Sequence, residues 1–184
     1  MMISTIVPDV FRHVKAFGGE SIEIEFKVGK VSRHRFDAIR HRVSNDARFE
    51  ELTTSTERNE FNGTDARRVI VGDVHTHTLY KKKLMSLQLD AGRLDVSLER
   101  PGDPDTSRPY TIFRNKHRVS YVAHDIWRLD LTSVRTNDPR YADCDDELFE
   151  VELELLLGSD MMLYYTLEYA MQLGEELFRL ITEV

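Results

Sequence analysis

Cysteine is almost missing from this chain. Cys144 stands alone among 184 residues, so a disulfide framework is excluded and a reducing intracellular compartment is expected. Long apolar runs are missing too. The longest, such as Met161–Tyr165, reach about five residues against the ~20 of a spanning helix, so no membrane helix is expected. No basic stretch leads into an apolar core within Met1–Phe11, so no signal peptide is expected either. Nor is there an excess of positive charge: 25 Lys+Arg against 32 Asp+Glu leave a formal net charge of −7. That excludes a protein that grips a long nucleic-acid backbone through a general basic field. A glycine-rich phosphate loop is also absent, because Gly18-Gly19 precedes a strand and not a helix.

What is present is alternation. Pro8-Asp9 open a short helix with Phe11, Val14 and Phe17 on one face. Ile22–Val28 then alternates strictly and predicts a strand. Ser32 caps a second helix carrying Phe36, Ile39 and Val43. Strands are predicted at Leu52–Thr56, Arg67–Val71, Thr76–Leu89, Leu94–Leu98, Tyr110–Val122, Trp127–Val134 and Leu148–Leu157. Asn62-Gly63, Gly72-Asp73 and Asp90-Ala91-Gly92 mark turns, and a polar, proline-rich loop fills Pro101–Pro109. Ser159 with Asp160 caps a last helix running to about Ile181, with a packing stripe of Leu163, Leu167, Ala170, Leu177 and Ile181. Eight or nine meandering strands without repeat or linker predict one domain, 1–184, of α+β class: a closed antiparallel barrel flanked by helices.

Two strands concentrate acid on one face. Glu23 and Glu25 alternate with Ile22, Ile24 and Phe26; Glu150, Glu152 and Glu154 alternate with Phe149, Val151, Leu153 and Leu155. Residues i and i+2 of a strand point the same way, about 7 Å apart. An acidic face turned to water is the ordinary reading of either strand alone. Together, three glutamates in a row and a second acidic strand repel one another unless cations neutralise them, and oxygen ligands suit a hard ion such as Mg²⁺ or Mn²⁺. Between them lies the inverse pattern, with Arg114, Lys116 and Arg118 on one face and Phe113, Val119 and Tyr121 on the other. Arg128, Asp130 and Thr132 share a further face, as do Lys81 and Lys83, and Arg68 offers another cation. If these faces meet inside a barrel, the lumen suits a small, highly charged anion, an oligophosphate, hydrolysed with metal assistance.

Ile22–Lys27, Arg114–Tyr121, Arg128–Val134 and Phe149–Glu154, in this order, resemble the metal-dependent RNA 5′-triphosphatases of mRNA capping, known from fungi, protozoa and large DNA viruses, within the triphosphate tunnel metalloenzymes. The resemblance spans about Glu20 to Leu157. It implies an eight-stranded tunnel that removes the γ-phosphate of triphosphate-ended RNA. By it, Glu23, Glu25 and Glu154 are metal ligands for Mg²⁺ or Mn²⁺, while Glu150 and Glu152 orient the attacking water and the basic side chains. Arg114, Lys116 and Arg118 contact phosphate, with Arg128, Thr132 and Lys83 nearby, and Asp130 positions a cation or a metal-bound water. The family's middle-strand arginine and lysine fall at Arg68 and Lys81, with Arg67, Lys82 and Lys83 within a residue or two. Glu23-x-Glu25-x-Lys27 also fits the related CYTH group, which acts on inorganic tripolyphosphate, thiamine triphosphate or NTP, and makes Lys27 a further phosphate contact. A barrel that only binds polyphosphate or RNA ends is the non-enzymatic alternative. The implied partners are the RNA 5′ end and a capping guanylyltransferase, with homodimerisation left open. The implied location is the nucleus for a cellular enzyme, or the host cell or virion for a viral one. His75-Thr76-His77 is read as an exposed pair in a turn, His117 as packing or surface, and Cys144 as no nucleophile, for want of an adjacent base.

Overall fold

A computed structural model describes residues 3–18, 21–62, 66–102, 108–141, 147–157 and 163–183. Eight strands alternate with few interruptions: β1 (Ile22–Val28), β2 (Phe49–Phe61), β3 (Ala66–Val71), β4 (Val74–Leu89), β5 (Gly92–Gly102), β6 (Ile112–Ala123), β7 (Trp127–Thr136) and β8 (Leu148–Leu155). Helices α1 (Val7–Phe17), α2 (Arg33–Ser44) and α3 (Tyr164–Thr182) complete the fold. The strands close into an antiparallel barrel, as expected, in the order β1-β5-β4-β3-β2-β6-β7-β8. It is not a plain meander. β1 inserts between β5 and β8, pairing Glu25 with Asp95 on one side and with Glu154 on the other.

The barrel is built inside out. Ile22, Ile24 and Phe26 of β1, Leu129 and Leu131 of β7, and Val151, Leu153 and Leu155 of β8 are buried, yet they face away from the lumen, into a hydrophobic core shared with the helices. Phe26 lies 5.5 Å from the Trp127 ring and 5.3 Å from Phe178 of α3. This burial lets the opposite face of the same strands carry charge, because alternation sends every second residue inward.

Each helix has a local cause. Ser32 Oγ accepts from the Arg35 backbone N–H at 3.2 Å to start α2, which buries Phe36, Ile39 and Val43. α1 has proline in its first turn and stops at Gly18, whose φ of +82° suits glycine. The cap expected at Ser159-Asp160 lies outside the described residues, and α3 begins at Tyr164 with Leu163 at its N-cap. Its C-terminal carbonyls are held by α2: Arg42 Nη1 donates to Leu180 O at 2.7 Å, and Arg35 Nη2 to Thr182 O at 3.3 Å. No helix among the described residues is long and apolar enough to cross a membrane.

α3 rests on β7 through a close approach. Trp127 Nε1 donates to Ala170 O at 3.0 Å, and a Cβ on Gly174 would stand 2.2 Å from the Trp127 ring. Gly174→Ala is therefore expected to cost about 1–2 kcal/mol, overpacking outweighing the gain in helix propensity. Urea denaturation should read a lowered midpoint, with catalytic activity retained because the Trp127 ring faces away from the lumen.

Candidate active site

Register decides which side chains enter the lumen. On β1 these are Glu23, Glu25 and Lys27; across on β8 they are Glu150, Glu152 and Glu154, with Lys27 opposite Glu152. β7 contributes Arg128, Asp130 and Thr132, opposite Glu154, Glu152 and Glu150. β6 contributes Arg114, Lys116, Arg118 and Ser120. The acidic and basic faces read from sequence thus meet in one cavity of about 1070 Å³.

Arg68 is a correction. It pairs with Glu60 and Thr78 on the outer side of the sheet, stacks over the Tyr110 ring at 4.7 Å and lies 3.7 Å from Glu60. Arg67 is the residue that points inward, opposite Phe61 and Leu79, and lines the cavity. Lys81 lines the cavity as well. Lys83 shares that inward face, opposite Ser97, and its half-exposed side chain pairs with Asp95 at 3.0 Å. His75-Thr76-His77 is exposed, as expected, but does not lie in a turn. A two-residue turn at Gly72-Asp73, with φ of +53° and +64°, returns the chain directly into β4, so both histidines are in a strand. His75 Nε2 lies 3.1 Å from Thr78 Oγ1. Cys144 lies outside the described residues.

Almost every lumen acid touches a lumen cation. Lys81 bridges Glu23 and Glu25, the latter at 3.0 Å, and Lys27 bridges Glu25 at 2.9 Å and Glu152 at 2.7 Å. Arg114 and Lys116 both reach Glu150, the lysine at 3.6 Å. Arg128 joins Glu154 at 2.6 Å and Asp130 at 3.2 Å, and Ser120 Oγ donates to Asp130 at 2.7 Å. Arg118 is held loosely, 3.4 Å from Glu57 and 3.5 Å from Asp130. Arg67 pairs with Glu99 at 2.7 Å.

The partners missed by sequence reasoning are Glu57, Asn59, Asp95 and Glu99. Glu57 and Asn59 lie on β2, which is polar on both faces and so carries no alternation to read. Asp95 and Glu99 lie on β5, where alternation with Leu94, Val96 and Leu98 was available as a signal.

The electrostatics are uneven along this network. Burial, reinforced by Glu152 and Glu23, raises the Glu25 carboxyl despite Lys27 and Lys81. Burial likewise pushes Glu154 up to about 7 against the pull of Arg128, with Glu23 and Asp130 adding to the rise. Glu152 goes the other way: burial opposes its charge, but Lys27 and Lys116 hold it well below the usual range. Burial lowers the Lys116 ammonium, only partly offset by Glu150 and Glu152.

Several donors have nothing to bond. The Nε–H groups of Arg67, Arg68, Arg114 and Arg118 are buried without a hydrogen-bond acceptor among the described residues, as is the Thr132 hydroxyl, and all of these but Arg68 are on the lumen face. Buried donors left unsatisfied are costly and mark a place for a ligand. Here the ligand must offer many acceptors and negative charge.

Because Arg67 and Arg68 are adjacent and face opposite ways, they test the register. Arg67→Ala is expected to lower turnover of an oligophosphate substrate by about 10²-fold, the scale of losing one transition-state donor. Arg68→Ala should change it less than about threefold, since its guanidinium lies on the outer side of the sheet against Glu60 and Tyr110 and does not line the cavity. Steady-state kinetics of the two variants decide between them.

Comparison with known proteins agrees with this architecture. Residues 84–168 match the family model described as mRNA capping enzyme, beta chain. The fold matches the S. pombe Pct1 RNA triphosphatase with a TM-score of 0.79 and 18% identity, covering 97% of this chain and 91% of that one. The RNA triphosphatase domain of the trifunctional mimivirus mRNA capping enzyme matches with a TM-score of 0.66 and 16% identity, covering 98% and 97%. Pct1 has also been solved in complex with the Spt5 CTD, matching here with a TM-score of 0.78 and 16% identity, covering 97% and 92%. No curated protein matches the chain in sequence.

Proposed function

We propose that this chain, a triphosphate-tunnel barrel whose residues 84–168 match the mRNA capping enzyme beta chain family, removes the γ-phosphate from the 5′-triphosphate end of RNA. It is an RNA 5′-triphosphatase acting in the first step of mRNA capping. The observation that carries this reading is the set of buried, acceptor-less guanidinium donors of Arg67, Arg114 and Arg118 lining one cavity.

Glu23, Glu25 and Glu154 are the carboxylates that would hold a divalent ion, Mg²⁺ or Mn²⁺. The fit rests on their chemistry and placement: all-oxygen donors on two adjacent strands, with Glu25 and Glu154 directly opposite one another. Among the described residues no three such side chains are already gathered as a ligand set, since Lys81 and Arg128 engage their oxygens. When bound, such an ion adds Lewis-acid stabilisation of charge on the phosphoryl oxygens.

The chain's own residues supply the rest. Arg114, Lys116, Arg118, Arg67 and Lys81 hold the phosphate oxygens and neutralise the charge that spreads over them in the transition state. Glu152, kept ionised by Lys27, and Glu150 orient the water that attacks the γ-phosphorus. The bond to the β–γ bridging oxygen breaks, leaving diphosphate-ended RNA and inorganic phosphate. Asp130, anchored by Ser120, fixes Arg118 and Arg128.

The test is a substrate panel of triphosphate-ended RNA, NTP, inorganic tripolyphosphate and thiamine triphosphate, each with Mg²⁺ and Mn²⁺. Release of one phosphate from RNA, stopping at the diphosphate, is expected. Turnover of tripolyphosphate or thiamine triphosphate alone would replace this reading with the CYTH-like one, which the lumenal position of Lys27, between Glu25 and Glu152, favours. A capping guanylyltransferase is the proposed partner, and the nucleus, or the host cell or virion for a viral protein, the proposed location.

A further inference from the structure

Arg93 is a cavity-lining cation that the hydrolytic machinery above does not use. It opens β5 and stands opposite Lys27 of β1, at the end of the barrel where β1 finishes and β8 begins. Its side chain is 46% exposed, whereas those of Lys116 and Arg118 are 7% and 19% exposed, so Arg93 occupies the rim of the tunnel.

Its placement is built. Arg93 Nε donates to Asp95 Oδ2 at 2.8 Å. Asp95 is 1% exposed and is itself fixed by Ser86 Oγ at 2.5 Å and by the Lys83 ammonium at 3.0 Å. Burial works against the Asp95 charge, but the Ser86 and Arg93 hydrogen bonds hold its carboxyl below the usual range. With Nε taken, the two terminal nitrogens of Arg93 have no partner among the described residues. A guanidinium anchored at one edge presents its other edge as a planar fork, the geometry that matches two phosphate oxygens.

We propose that Arg93, positioned by Asp95 and Ser86, binds the first internucleotide phosphate of the RNA as it leaves the tunnel and so selects polynucleotide ends over free oligophosphates. This rests on the RNA triphosphatase reading and names the part of that substrate read at the rim. The deeper cations take the triphosphate, which RNA, nucleotides and tripolyphosphate all share. Only a polynucleotide carries a further phosphodiester to the rim. Asp95 acts through Arg93 and does not touch substrate.

The test compares kcat/KM for a short 5′-triphosphate RNA and for tripolyphosphate in the full-length chain with Mn²⁺. In Arg93→Met the ratio of RNA to tripolyphosphate turnover is expected to fall about 10–100-fold, mostly through KM for RNA, as for loss of a charge-assisted contact. Arg93→Lys should restore part of the ratio. Asp95→Asn should lower it less than Arg93→Met, and the double variant no further than Arg93→Met alone. Fluorescence anisotropy of the labelled RNA in EDTA reads the same contact without turnover, and thermal melting confirms that each variant is folded. An unchanged ratio, or equal losses on both substrates, overturns the rim assignment while leaving the functional reading intact. A wild-type chain that leaves triphosphate RNA untouched overturns the functional reading itself, and this one with it.

Discussion

Glu25→Gln is expected to lower hydrolysis of triphosphate-ended RNA by about a thousandfold, the upper end of the scale for removing one preorganised stabiliser of transition-state charge. The residue sits at the centre of a row of carboxylates, Asp95, Glu25 and Glu154, directly opposite one another across β5, β1 and β8. It is 2% exposed and shared between two lysines. Such a position does not suit a wet acidic face, and the role proposed for it is to hold a divalent ion. The fold should survive the change: Lys81 retains Glu23 and Lys27 retains Glu152, so neither ammonium is left buried and unpaired. Glutamine keeps the volume and removes one of several like charges crowded together. The melting temperature in EDTA should therefore be no lower than wild type, while the Mn²⁺ affinity read by calorimetry falls. Near-normal turnover with intact metal binding would remove Glu25 from the ligand set.

Arg118→Ala is expected to be nearly as severe, about 10²–10³-fold in kcat, with Arg118→Lys recovering only a fraction. The reason is the looseness of its native contacts. At 3.4 and 3.5 Å from Glu57 and Asp130 it has charge partners but poor hydrogen bonds, and its buried Nε has no acceptor. A phosphoryl group offers what these acids do not. Lysine supplies the charge without the fork, so the partial rescue separates charge from geometry. Truncation leaves Asp130 held by Ser120 and Arg128, which limits structural damage. Single-turnover kinetics with saturating RNA distinguish a lost chemical step from lost binding; an unchanged kcat would place this guanidinium outside the reacting phosphate.

Much of this site was legible in the sequence because the barrel is inside out. Where one face of a strand is apolar and packed under helices, its charged residues must share the other face. Glu23 and Glu25, the three acids of β8 and the three cations of β6 were therefore assigned to common faces without coordinates. Legibility failed where that contrast fades. Arg67 and Arg68 are adjacent, and β3 offers only six residues, so nothing local says which points inward. β2, from Glu50 to Glu60, is polar on both faces, which hid Glu57 until its pairing with Lys116 on β6 was known. The place of β1 between β5 and β8 could not be read either, since hairpin signals report only neighbours in sequence, and β1 has none as its partner.

That place of β1 has a consequence for synthesis. Glu23 and Glu25 are made early in the chain and Glu154 late, and they become neighbours only when β8 pairs with β1. While β8 is still being made, the growing chain holds acids and cations but no enclosed tunnel, so closing the barrel and acquiring competence are one event. A ribosome-bound intermediate that lacks β8 should be unable to act on the triphosphates around it, however complete its other strands.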